Sequence, residues 1–316
     1  MVNIWACRLY YILSCLIFWY FITFILQVQR EYYRLQPYLI ASNIAYKGSD
    51  VKMHYAPYLP NSETLERNAN KSQELLKKLA NWKGDRSKLK PREERLIHQF
   101  QYFLNSNFDS IYERYFDGIW LLGPDYFCEQ PICYALDYFH QALIRMSEID
   151  GPITSLTDMK NIISIVKSHR VTFEQYMQNM KDGVKSGMVW SEEVCKASAK
   201  TFRKLYGRVR KEPEGILKMK FAQMLMSGIT TQRGLYKKLT NAELEQFRAS
   251  HKGQSYEEKM QKTIVENIGE PLHDLIVYMK EEHVQYCPPS DISSGLGSLP
   301  LKYIYKNGKI IGYVVS

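Results

Sequence analysis

Seven histidines and six cysteines are the residues of this chain best suited to bind a metal or carry a nucleophile. A water-activating metal needs several such donors converging on one point, with a carboxylate nearby to handle the proton. The histidines are His54, His98, His140, His169, His251, His273 and His283, and no pair stands in an H-E-x-x-H arrangement. His273 and His283 can share a helix face, but ten residues of helix separate them by about 15 Å, too far to share an ion. Cys128 and Cys133 supply two thiols without a matching second pair, so a local disulfide or two buried thiols fits them better than zinc. No G-x-S-x-G elbow, phosphate-binding loop or G-x-G-x-x-G fingerprint is present. Glu281-Glu282-His283 reads as a charged helix end. The expectation is no catalytic residue, no metal ligand, and no convergence of three donors.

The remaining candidate positions are structural or binding ones. Cys7 and Cys15 lie in or beside an apolar N-terminal run, whereas Cys128, Cys133, Cys195 and Cys287 are candidates for disulfides. Four cysteines allow three pairings, and buried free thiols are the alternative. Asn70-Lys71-Ser72 is a glycosylation sequon in a polar stretch. Ser294, Gly295 and Gly297, followed by Tyr303 and Tyr305, mark a candidate groove or strand-pairing segment, where the glycines let backbone turn sharply or approach another chain.

The element that would place all of these is the run Leu9 to Val28, which carries no charged side chain. A bilayer core about 30 Å thick is crossed by roughly 20 apolar residues of helix. The run matches that length, exceeds the apolar core of a signal peptide, and is followed by no A-x-A cleavage pattern. The expectation is a retained single-pass anchor over 1–30, a signal-anchor, with a cleaved signal peptide or a buried core helix as alternatives. Arginines on both sides leave orientation open, and the body is expected on the extracellular or luminal side.

Charge adds little to this. The formal net charge is +9, but residues 201–240 hold ten Lys or Arg against two Glu and supply most of the excess. A solvated basic face of amphipathic helices accounts for that, so no nucleic-acid partner is expected. Contact with anionic lipid through Arg203 to Lys238 is the functional alternative.

Beyond the anchor, 31–60 is rich in tyrosine and proline and reads as a connector. From 61 onward the pattern is helical. Asn61 can open a helix through Leu65, Leu75, Leu79 and Trp82, and Pro91 starts another whose apolar stripe runs from Leu96 to Tyr115. Gly118 to Pro131 reads as a loop. Thr157 can open a long helix closed near Gly183, Ser191 can cap the next, and Pro271 interrupts the last. Thr240-x-x-Glu243 and Ser255-x-x-Glu258 match the capping box. Asn307-Gly308 between β-rich runs is a hairpin signal, because a type I′ turn needs positive φ at both positions. The expected fold is mainly α: a transmembrane helix followed by a multi-helix body over 61–316 with a short C-terminal β-hairpin.

Three stretches carry a family resemblance when taken together: LGPDYFCEQPIC from Leu122, YMQNMKDGVKSGMV from Tyr176, and VQYCPPS with SSGLGSLP from Val284 to Pro300. In this order they resemble animal members of the domain-of-unknown-function 885 family, from about residue 60 onward. The resemblance implies a mostly helical protein similar to zinc metallopeptidases. The family's histidine-rich H-E-x-x-x-G-H-H type motif has no counterpart here, so its ligands cannot be carried over. What the resemblance implies is the N-terminal part of a metallopeptidase-like domain, without a cofactor of its own, with zinc only if a C-terminal half supplies the ligands. The expected partners are a lipid bilayer and a peptide or protein.

Overall fold

The computed structural model describes residues 23–81, 89–109, 131–147, 153–227, 239–289 and 301–315. The chain divides into two compact units, the first made of Met1–Gln36 with Glu63–Ile111 and the second of Pro37–Ser62 with Tyr112–Ser316.

The first unit packs three helices: α1 (residues 23–35), α3 (Ser62–Ala80) and α4 (Pro91–Asn107). Each helix contributes buried side chains at helical spacing, Phe24, Val28 and Leu35 from α1, Leu75 and Leu79 from α3, Ile97 and Leu104 from α4, closed by Phe108. Polar bonds then tie the segments together. Gln36 Nε2 donates to the Asn107 carbonyl at 2.6 Å, and the buried Ser72 hydroxyl donates to the Leu104 carbonyl. α4 stops at Asn107, short of the expected Tyr115, with Asp109 in positive φ; residues 110–115 lie outside the described residues.

This core corrects the reading of the N-terminal run. Among the described residues no helix is long and apolar enough to cross a membrane. That overturns the single-pass anchor, the transmembrane and signal-anchor assignment, and the membrane localisation drawn from them. Phe24 and Val28, the described end of the run, are buried against leucines and phenylalanines of α3 and α4. An apolar helix face can be satisfied by protein as well as by lipid, and its composition does not say which. Leu9–Ile22 lies outside the described residues.

The second unit is organised on α6 (Leu156–Ser186), whose Met159, Ile162, Val166, Phe173, Tyr176 and Met180 are buried. Ser155 caps it, accepting from the Asp158 amide at 3.2 Å, two residues before the expected Thr157. Gly187 ends it with φ 68°, and the Met188 amide donates back to the Gly183 carbonyl at 2.8 Å, so the helix outlasts the expected stop at Gly183. Segment 55–60 lies along α6, where the Thr172 hydroxyl donates to the Tyr58 carbonyl at 2.8 Å and Asn179 Nδ2 to that of Pro60 at 2.9 Å. Around it stand α2 (Gly48–His54), α5 (Pro131–Met146), α7 (Glu192–Leu205), α8 (Lys220–Ser227) and α9 (Asn241–Ser250).

Packed on α6 is a helical rod from Tyr256 to Tyr286: α10 (Tyr256–Ile264), a π-turn (Val265–Gly269), α11 (Glu270–Val277), a second π-turn (Tyr278–Glu282) and a 3₁₀ turn (His283–Tyr286). Pro271 does not break it. The wide turn just before the proline gives its ring room that a regular α-turn lacks. Gly269 serves a close approach, since a Cβ there would sit 2.5 Å from the Pro213 carbonyl oxygen of a neighbouring 3₁₀ turn.

Both capping boxes form, with Thr240 and Ser255 each accepting from the amide of the glutamate three residues on. The hairpin pairs β1 (Leu301–Lys306) with β2 (Lys309–Val315), antiparallel, through Asn307 (φ 54°) and Gly308 (φ 74°). A bulge lies between the Ile304–Gly312 and Tyr305–Ile310 pairs.

Candidate functional site

In the first unit the helices present a second apolar face beside the one that builds the core. One residue along a helix turns the side chain by about 100°. Ile25, Gln29 and Tyr33 on α1, and Leu96 and Gln99 on α4, therefore flank the buried Phe24, Val28 and Ile97, while Tyr32, Phe100 and Phe103 pack half-buried against the core and reach the same surface from its edge. Together with Val28 these residues line a groove of about 590 Å³. The aromatic rings give it a rigid wall: Phe100 meets Phe24 edge-on at 6.1 Å, and Tyr32 lies 5.3 Å from Phe103. Among the described residues no charged side chain lines the groove, and the polar groups there are the Gln29 and Gln99 amides and the two tyrosine hydroxyls.

A different site arises in the second unit, where chemistry rather than shape is concentrated. Cys195 on α7 and Cys287 after the helical rod are joined by a disulfide, with S–S 2.07 Å and Cα atoms 6.5 Å apart. This selects one of the three pairings left open by the sequence, for these two cysteines. His283 stands beside them, with a ring nitrogen and both Sγ atoms all within 4.8 Å of one another. The expectation that no three donors converge is thus corrected. As the bond stands, however, both sulfurs are spent on each other, and a disulfide offers no thiolate to a metal.

His283 is only 6% exposed, and its Nδ1 has no hydrogen-bond partner among the described residues. Burial pushes its pKa down to about 4, so the ring is neutral at pH 7. Hydrogen bonds to backbone carbonyls fix both flanks of Cys287. The Tyr303 hydroxyl donates to the Tyr286 carbonyl at 3.0 Å, and the Glu192 amide donates to that of Pro288 at 2.7 Å. Burial of Tyr278, whose ring lies 5.7 Å from His283, raises its phenol above the usual range.

His169 on α6 is the other deeply buried base. Its Nδ1 must carry the proton, because it donates to the Ile165 carbonyl at 2.8 Å, and Nε2 has no partner among the described residues. Phe139 packs 4.7 Å from the ring, and burial lowers its pKa to about 4. Asp158 behaves differently. Burial pushes its carboxyl up, but Lys52 at 2.8 Å and the hydroxyl and amide of Thr154 draw it below the ordinary carboxylate range.

The sequence-predicted positions are scattered. Cys128, Ser294, Gly295 and Gly297 lie outside the described residues, and Cys133 falls in the first turn of α5. Asn70 is exposed in the middle of α3, whereas Ser72 of the same sequon is buried and bonded. Tyr303 anchors the hairpin to the 3₁₀ turn, and Tyr305 projects into solvent, 57% exposed. Of the basic run, Lys204, Arg208, Arg210, Lys211, Lys218 and Lys220 are exposed, and 228–238 lies outside the described residues. Sequence reasoning missed His283 as a neighbour of Cys287. The signal was the four-residue spacing, which puts both on one face of a helical turn.

No family model, curated protein or solved structure matches the chain.

Proposed function

We propose that the protein is a binding module whose first unit takes a small, uncharged, largely apolar ligand in the groove between α1 and α4. The observation that carries this reading is the groove itself. Its volume of about 590 Å³ falls within the range of roughly 300–1,000 Å³ typical of small-molecule sites. Its lining is aromatic and aliphatic with a few amide and hydroxyl groups, the composition that binds by burial and orients by a few hydrogen bonds. The described lining holds no charge to offset the desolvation of an ionic ligand, which favours an uncharged one. Titration with the neutral fluorescent probe N-phenyl-1-naphthylamine tests it. The expected result is saturable binding of one probe per chain, weakened at least tenfold by Leu96→Trp, which fills the groove. Binding that does not saturate, or that ignores this substitution in a protein of unchanged circular dichroism, would refute the reading.

A second reading keeps the resemblance drawn from the sequence: the second unit is a metallopeptidase-like half completed by a partner strand that adds to the hairpin. What supports it is an edge available for pairing, since β1 and β2 form a two-stranded sheet among the described residues, and Ile304 and Tyr305 are 43% and 57% exposed. A chain that stays monomeric, soluble and well folded alone, with amides of 301–315 exchanging freely in the presence of a candidate C-terminal half, would count against this reading.

A further inference from the structure

The buried trio Cys195, His283 and Cys287 has a chemistry that the disulfide alone does not use. A cystine needs no imidazole, yet His283 is buried against this one with its Nδ1 unpartnered among the described residues. A buried nitrogen of that kind is costly unless something accepts its lone pair or takes its proton. The surroundings also hold the two cysteines together independently of the S–S bond. Cys195 sits in α7, and the carbonyls on either side of Cys287 are held by Tyr303 and by the first residue of α7.

We infer that when the Cys195–Cys287 bond is reduced, the two thiolates and His283 form a zinc site. Reduction by a dithiol proceeds through a mixed disulfide. The attacking dithiol ends as a cyclic disulfide, having given up two electrons and two protons, and Cys195 and Cys287 each gain a thiol proton. Zinc then displaces those two protons, and the separated sulfurs sit roughly 3.8 Å apart, as two Zn–S bonds of about 2.3 Å at a tetrahedral angle require. Two thiolates cancel the charge of the ion and the imidazole binds neutral, so the complex carries no net charge into a buried place. Three protein donors leave the fourth tetrahedral position to water or an external ligand. Which state the chain adopts follows from where it folds, zinc-bound in a reducing compartment and disulfide-bonded in an oxidising one.

The test uses the full chain with Cys7, Cys15, Cys128 and Cys133 replaced by serine, so that one cysteine pair remains. The protein is reduced with a phosphine under anaerobic conditions, reduction is verified by thiol counting, and Co²⁺ is titrated as a spectroscopic substitute for Zn²⁺. The expected result is one Co²⁺ per reduced chain, with a sulfur-to-metal charge-transfer band and intense visible bands of tetrahedral geometry, bleached by Zn²⁺. The oxidised protein should show neither, and His283→Gln should weaken Co²⁺ binding at least tenfold and alter the visible bands. If the quadruple variant fails to fold, the same difference is read between the wild-type chain and Cys195→Ser. A reduced chain that unfolds and is restored by Zn²⁺ also supports the site. A reduced chain that shows no such band, whether it stays folded or unfolds and is not restored, overturns it, as does a band indifferent to His283→Gln.

Discussion

The two units use the same materials, amphipathic helices and many aromatic rings, and finish them differently. Among the described residues, the first leaves a face of α1 and α4 uncovered, with Tyr32, Phe100 and Phe103 half-buried along a groove lined by no charged side chain. The second closes its core around α6 and places titratable groups within it, with His169, His283 and the phenol of Tyr55 buried. An uncovered apolar face stores binding free energy for something that arrives later, whereas a closed core with buried bases makes stability depend on pH and redox state. Shape therefore carries the proposal for one unit, and proton and thiol chemistry that for the other.

This contrast can be broken most forcefully in the closed core. Phe173 is fully buried, and Phe173→Ala should cost about 3–5 kcal/mol in urea unfolding, against about 1–2 for Phe103→Ala in the groove wall. Equal costs would mean that the groove is as tightly packed as the core. Next in size is the Lys52–Asp158 pair, which ties α2 to the start of α6 with both side chains largely covered. Removing the carboxylate in Asp158→Ala leaves the ammonium and the Thr154 amide unpartnered by it, an expected loss of about 2–3 kcal/mol. A change below about 0.5 kcal/mol at pH 7 would show the pair to be dispensable.

Acid sharpens the comparison further. The folded pKa of His169, about 4, lies below the ordinary value of 6.5. The unfolded state therefore binds the proton first, and stability is lost as pH falls from 6.5 towards 4. Above 6.5 the ring is neutral in both states and contributes no slope. At pH 5 the loss from this group should be about 2 kcal/mol. His169→Gln should flatten that part of the stability profile measured by urea unfolding between pH 7.5 and 5; an unchanged slope would remove His169 as its source. The smallest effect belongs to the groove, where Leu96→Trp on a half-exposed wall should shift stability by less than about 0.5 kcal/mol while it blocks the ligand.

How far the sequence revealed this depended on the range of the signal. The capping boxes at Thr240 and Ser255 and the Asn307-Gly308 turn are local, and each forms as read because its partners lie within a few residues. The stripe Leu96, Phe100 and Phe103 was legible as apolar, but no periodicity says whether a face will be covered. The same ambiguity turned Phe24 and Val28, core residues of a helical unit, into the end of an expected membrane span. Pro271 looked like a helix break because a regular α-turn cannot hold it, and a π-turn is not written in any short motif. The Cys195–Cys287 pair closes over a sequence separation of 92, a distance across which only the tertiary fold chooses partners.

Photolabelling tests the central claim most directly. An uncharged aliphatic alcohol carrying a diazirine, equilibrated with the intact chain and irradiated, marks the residues that surround it, and peptide mass spectrometry locates the adducts. The groove reading predicts adducts concentrated on 25–33 and 96–103, suppressed by excess unlabelled alcohol and by Leu96→Trp. Adducts spread evenly over the chain, or gathered in the second unit and insensitive to that substitution, would contradict it.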